Sequence, residues 1–205
     1  MKIYRILILV LAIFGAQYAR AAVNASAFMK EASALLTNSK SITASFKIES
    51  AGQESVIGTI AVKADKFAVK TSASSTVYDG KTQWTVSTDN REISIFEPTP
   101  DEVAQVNPFA IIRSYERDYS LKTISSNAST VKMQLTPKSK GSSIKSIIIT
   151  FAASSKHPMS MAITLDDGTL LKVTISDIKT NVDIPASRFT ITKKDYPGYE
   201  IIDLR

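Results

Sequence analysis

From Ile42 to Ile191 the chain repeatedly alternates apolar and polar residues with a period of two. A pleated strand sends successive side chains to opposite faces, so each such segment has one apolar face and one wet face. In the clearest stretch Met159, Met161, Ile163 and Leu165 share a side. The pattern recurs in Val131, Met133 and Leu135, in Leu171, Val173 and Ile175, and in Ile42, Ala44, Phe46 and Ile48. Many half-buried strands hide their apolar faces only by stacking two sheets or by curling one sheet around. A curled sheet is a container, and the question becomes what it holds.

The N-terminus predicts where such a container works. Lys2 and Arg5 precede the apolar run Ile6–Phe14, and Ala19-Arg20-Ala21 supplies the small-x-small pattern read by signal peptidase. The run is too short to cross a hydrocarbon core about 30 Å thick, which takes about 20 residues. Residues 1–21 therefore read as a secretory signal peptide and 22–205 as a single domain with a core of ordinary size. The expected location is the periplasm. The sequence has no cysteine, which excludes a disulfide framework, a thiol nucleophile and cysteine metal ligands. It also excludes bacterial N-terminal lipidation, so a released, unlipidated protein is expected. Cleavage removes Lys2, Arg5 and Arg20 and halves the formal charge of +6. The basic spots that remain, Lys138/Lys140 and Lys193/Lys194, do not make the aromatic-interleaved basic face that nucleic acid requires. No nucleic-acid partner is expected.

Ala25 to Ser39 reads as one amphipathic helix with Phe28, Ala32, Leu35 and Leu36 on its stripe and Met29 beside them. Strands are predicted at about 41–50, 54–63, 66–72, 75–79, 82–88, 91–96, 119–126, 129–136, 144–151, 159–165, 169–176 and 188–192. Asp79-Gly80 and Asp167-Gly168 are expected hairpin corners, because glycine accepts the positive φ of tight turns. The strand pattern stops between Glu97 and Tyr115. There Thr99-Pro100-Asp101-Glu102 has the form of a capped helix start, and Pro108-Phe109-Ala110-Ile111-Ile112 begins a second short helix. In a barrel, the surface left for two such helices is the open mouth.

The residues favour binding over catalysis. His157 is the one histidine, in a turn before Pro158. No nucleophile elbow, phosphate loop, dinucleotide fingerprint or zinc-protease motif is present. The carboxylate pairs Asp166/Asp167, Asp101/Glu102 and Asp89/Glu92 read more simply as turn and cap residues than as general acids. No metal or cofactor is expected, and no enzyme activity.

Six segments, taken in order, resemble the LolA-type periplasmic outer-membrane lipoprotein carriers. They are Ser41-Ile42-Thr43-Ala44-Ser45-Phe46, Gly58-Thr59-Ile60-Ala61-Val62-Lys63 and Val77-Tyr78-Asp79-Gly80-Lys81-Thr82-Gln83-Trp84. Asn107-Pro108-Phe109 with Ile111-Ile112, then Leu135-Thr136-Pro137-Lys138, and finally Phe189-Thr190-Ile191-Thr192 complete the series. The resemblance implies a mainly β, α+β fold: an incomplete, strongly curved antiparallel barrel covered by an N-terminal helix and short lid helices. It also implies that the hollow carries the acyl chains of lipoproteins from the inner to the outer membrane. Partners would be the acylated lipoproteins, an inner-membrane lipoprotein-releasing transporter and an outer-membrane acceptor, with the carrier a monomer. The alternative within the same fold is a periplasmic carrier of free lipids or other apolar ligands.

On this reading the lipid-binding wall comprises Phe46, Ile48, Ile60, Val62, Trp84, Val86, Ile93, Ile95, Met133, Ile149, Met161 and Ile163. The lid carries Val103, Val106, Phe109 and Ile112. For each wall residue the competing reading is an ordinary core between helix 25–39 and the sheet. One position departs from the family pattern. An arginine that helps close the empty carrier commonly follows the Val-Lys of the segment Gly58–Lys63, and here that position is Ala64. The lid is then held differently, or stands open more often.

Overall fold

The computed structural model describes residues 24–205. The expected signal peptide, residues 1–21, lies outside the described residues. Helix α1, Ala25–Asn38, is capped by Asn24, whose side-chain oxygen accepts from the Ala27 N–H at 3.0 Å. That satisfies one of the N–H groups a helix start leaves without an internal partner. The helix buries Phe28, Met29, Ala32 and Leu36. Leu35 falls at the margin of the stripe and is 43% exposed.

Six strands follow: β1 Ile42–Glu49, β2 Val56–Lys63, β3 Lys66–Thr71, β4 Ser74–Tyr78, β5 Gln83–Ser87 and β6 Glu92–Phe96. Helices α2, Pro100–Val106, and α3, Pro108–Asp118, interrupt the sheet. Strands β7 Tyr119–Ser126, β8 Thr130–Pro137, β9 Ile144–Ala152, β10 Pro158–Leu165 and β11 Leu170–Thr180 complete the main run. The predicted corners hold, with Gly80 and Gly168 at φ 107° and 88°. Met159 does not keep its place on the β10 stripe. A bulge between Pro158 and Ser160 turns it outward, leaving it 45% exposed.

The strand predicted at 188–192 is absent. Ala186–Phe189 forms a 3-10 turn instead, and Phe189 is buried by lying on the sheet rather than in its ladder. Alternation reports two-sided burial, and packing flat on a sheet face produces it as well as pairing does. The last strand, β12 Glu200–Asp203, pairs in parallel with β6.

All twelve strands belong to one sheet, in the order β12-β6-β5-β4-β3-β2-β1-β11-β10-β9-β8-β7. The end strands β12 and β7 do not pair with each other, so the curved sheet remains an incomplete barrel. Apart from β12–β6, every pairing is antiparallel. Bulges at Thr43/Ser45 and Thr123/Ser125 add the local twist that a curling sheet needs.

Two apolar clusters form, one on each face. The inner cluster joins α1 and α3 to β1–β3 and β7–β11. The outer cluster joins Ala61, Ala68 and Val77 to Ile184 and Phe189, with Trp84 and Ile191 against it. The C-terminal segment therefore acts as a strap. It borders the outer side of β1 and β2 near Ile184, crosses β3 and β4 near Ile191 and Tyr196, and reaches the edge of β6 as β12.

On the inner face Gly58 lies directly under the Phe46 ring. It pairs with Phe46, and a Cβ built on it would lie 2.5 Å from the Lys70 carbonyl oxygen and 2.5 Å from Phe46 Cζ. The Phe46 ring occupies the space a side chain would need, and the carbonyl is backbone and cannot swing away. Gly58→Ala is expected to lower stability by about 1–3 kcal/mol, the usual cost of overpacking, and urea denaturation measures it. Unchanged stability would mean that both the Phe46 ring and the β3 backbone at Lys70 give way to the added methyl.

Candidate functional site

The β1–β2 and β8–β10 half of the predicted wall assembles. Phe46, Ile60, Val62, Met133, Ile149, Met161 and Ile163 are buried in the inner cluster, and Ile48 is half-buried at its rim. Pairing brings them into register: Met133 faces Ile149 and Met161 faces Ile149 across β8, β9 and β10.

The other four wall residues are on the opposite face. Val77 pairs with Trp84, Trp84 with Ile95, and Val86 with Ile93, and Val77 and Trp84 belong to the outer cluster under the strap. Trp84, Val86, Ile93 and Ile95 thus line the outside of the sheet. The inward positions of the same strands are Thr76, Gln83, Thr85 and Ser94, one continuous cross-strand set with Tyr78 and Phe96. The concave wall is two-toned, apolar from β7 through β3 and polar on β4–β6 apart from Tyr78 and Phe96. The Gln83 amide nitrogen donates to Thr85 Oγ1 at 3.3 Å.

The two helices expected to form a lid pack on the inner face of the sheet. Thr99 and Glu102 form the capping box at α2: the Glu102 carboxylate accepts from the Thr99 N–H at 2.7 Å, and Thr99 Oγ1 accepts from the Glu102 N–H at 3.3 Å. Asn107 ends α2 and caps α3, its side-chain oxygen accepting from the Phe109 N–H at 3.1 Å. From α3, Phe109, Ile111 and Ile112 are fully buried against the wall, and Val103 and Val106 of α2 pack beside them half-buried. Phe28 of α1 meets Phe151 edge-on at 5.6 Å. Side chains of α1, α2 and α3 therefore cover the apolar part of the concave face. A cleft of about 740 Å³ lies outside it, bounded by Asp101, Glu102, Arg117, Lys138 and Ser143. There burial, with Asp101 and Asp118 nearby, pushes the Tyr119 phenol up to about 12.

α3 continues past Ile112 to Asp118 and so brings in Arg113, which no pattern in the sequence marked. Its guanidinium donates to the Ala64 carbonyl through Nη1 and to the Leu36 carbonyl through Nη2 at 3.3 Å. Ala64 sits at φ 52° in the β2–β3 turn, a left-handed conformation that costs a residue with a Cβ about 1–2 kcal/mol. Burial pushes the Arg113 guanidinium below its usual range, and Asp65 partly opposes this.

Among the carboxylates weighed as general acids, Asp166 and Asp167 hold the β10–β11 turn, Glu102 holds the α2 cap, and Asp101 ties α2 to the start of β9. Asp167 accepts from the Thr169 N–H at 2.8 Å, Asp101 from the Ser143 N–H at 3.1 Å, and Asp166 from the Asp167 N–H at 2.9 Å. His157 is half-exposed beside α1, near Lys156, whose ammonium pairs with Glu31 at 3.0 Å. Among the described residues no helix is long and apolar enough to cross a membrane.

A family model described as outer membrane lipoprotein carrier protein LolA matches residues 15–168. The chain belongs to this LolA family. No curated protein sequence matches it significantly. The LolA-family chain is similar in structure to an uncharacterized conserved protein from Thermus thermophilus, with TM-score 0.59, 10% identity, and 87% of this chain and 98% of that one covered. A DUF1329 family protein from Desulfovibrio piger gives TM-score 0.51, 8% identity, and coverage of 81% and 97%. A LolA superfamily protein from Nitrosomonas europaea gives 0.46, 13% identity, and coverage of 83% and 99%. Residues 169–205 of this LolA-family chain, which include the strap, lie beyond the family match.

Proposed function

We propose that the protein is a periplasmic carrier that binds the acyl chains of lipoproteins in its concave wall and shuttles them from the inner to the outer membrane. The observation that carries this reading is the lid. Phe109, Ile111 and Ile112 occupy an apolar concavity from one eleven-residue helix, and acyl chains are of similar chemistry. Each methylene left in water costs about 0.8 kcal/mol, so a multiply acylated anchor needs such a cover to cross an aqueous space. A lid that fills the wall when cargo is absent keeps the empty carrier from aggregating and holds affinity down, because cargo must displace it. The polar half of the wall, Thr76, Gln83, Thr85 and Ser94, suits the ester and amide groups that join acyl chains to a protein.

In this reading the signal peptide is cleaved after Ala21 and the unlipidated monomer receives cargo from an inner-membrane releasing transporter. It passes the cargo to an acceptor at the outer membrane. No catalytic role is assigned to its carboxylates or to His157. Depleting the protein is expected to leave outer-membrane lipoproteins at the inner membrane, as read by fractionation. Normal sorting, with no acylated protein co-purifying, refutes the proposal. A free fatty acid or glycolipid found by native mass spectrometry, without attached protein, replaces it with the free-lipid carrier.

A further inference from the structure

Arg113 joins three elements through hydrogen bonds at one point. It projects from the lid helix α3 and donates to the Ala64 carbonyl in the β2–β3 turn and to the Leu36 carbonyl in the last turn of α1. A helix end leaves four carbonyls without internal partners and carries partial negative charge. α1 has no basic residue in its last turn, so the cation that satisfies this end arrives from the lid. Arginine suits the position because its planar fork presents several donors in fixed directions, where a lysine ammonium is a point charge. The Nε donor is buried without a partner. A guanidinium placed under that handicap is held by what its two other nitrogens gain.

We infer that Arg113 is the lid's latch, carried by the moving helix and closed onto backbone carbonyls of the sheet and of α1. When α3 lifts, the guanidinium leaves with it, and the turn and the end of α1 pass to water. The acceptors are main-chain groups, so no carboxylate is needed to hold the lid. The latch also answers how this chain closes with Ala64 in the turn: the residue contributes its carbonyl, and the donor comes from the other side. The inference concerns the gating of the wall proposed above to carry cargo and rests on that reading only for its purpose.

The absence of cysteine lets spin labels be placed at will. Lys66→Cys at the turn and Glu116→Cys on α3, both exposed, report the lid-to-sheet distance in the protein without lipid. The parent is expected to give one narrow distance distribution. Arg113→Gln, neutral and unable to fork, should broaden it, lengthen it and speed α3 amide exchange roughly tenfold or more, the worth of a lost charge-assisted hydrogen bond. Arg113→Lys should fall between. An unchanged distance and unchanged exchange in Arg113→Gln overturn the latch. If that variant fails to unfold cooperatively, Arg113→Lys decides by the same two readouts, and parent-like values overturn the latch. Acyl binding by the parent is measured separately: its failure with a working latch removes the cargo reading, and its success with an unmoved lid removes the latch.

Discussion

Replacing Phe189 with alanine lowers the stability of the fold by about 3–5 kcal/mol, the usual cost of truncating a buried phenylalanine, and shifts Trp84 emission to longer wavelength. It does not weaken acyl binding by the protein that stays folded. Phe189 is 2% exposed and holds the strap to the outer cluster, with Trp84 packed beside it. Loosening the strap therefore wets Trp84, the only tryptophan in the sequence, while the inner cluster on the opposite face keeps its contacts. Chemical denaturation followed by fluorescence reads the first effect, and titration with a fluorescent acyl ligand reads the second. The same geometry requires that saturating the parent with acyl ligand leave Trp84 emission where it was. An emission shift on ligand binding, with the strap intact, would place the Trp84 side chain on the ligand-binding face after all.

The period-two signal made eleven strands legible, because alternation is local and survives without knowledge of partners, whereas the open barrel they form was implied only by the family resemblance. The face of each strand did not follow. Trp84/Val86 and Ile93/Ile95 alternate as regularly as Met133/Leu135, and only the pairing of Val77 with Trp84 reveals that the apolar side of β5 and β6 points outward. A one-residue difference in register exchanges the two faces of a strand, and composition alone is blind to it. The strap was half legible: Phe189 and Ile191 alternate, yet they pack across the sheet, and β12 finds its parallel partner β6 at a distance in sequence that no local pattern encodes. In α2 and α3, the capping box at Thr99 and the proline at Pro108 announced both helix starts. Arg113 escaped because one arginine in an amphipathic helix is ordinary, and its partners are carbonyls of Ala64 and Leu36, whose side chains say nothing about it.

Phe109→Ala is the variant expected to change binding most. Phe109 is fully buried between α3 and the wall, and its truncation costs about 3–5 kcal/mol where the surroundings cannot collapse. If α3 leaves the sheet as a unit, that cost falls on the closed state alone. Even 3 kcal/mol, partly relieved by repacking of Ile111 and Ile112, raises the open population by roughly tenfold to a hundredfold. A ligand that binds only the open form has an apparent Kd equal to its intrinsic Kd divided by the open fraction, so affinity for an acylated ligand should rise by the same factor. Hydrogen exchange tests the premise: α3 amides should exchange faster in the variant, while those of β9, anchored by the fully buried Ile147, Ile149 and Phe151, should change much less. A variant in which α3 and β9 amides accelerate together, with no gain in affinity, shows that the helix opens only when the sheet does. In that case the filled concavity is simply the core of the protein, and the wall has to be sought elsewhere on the fold.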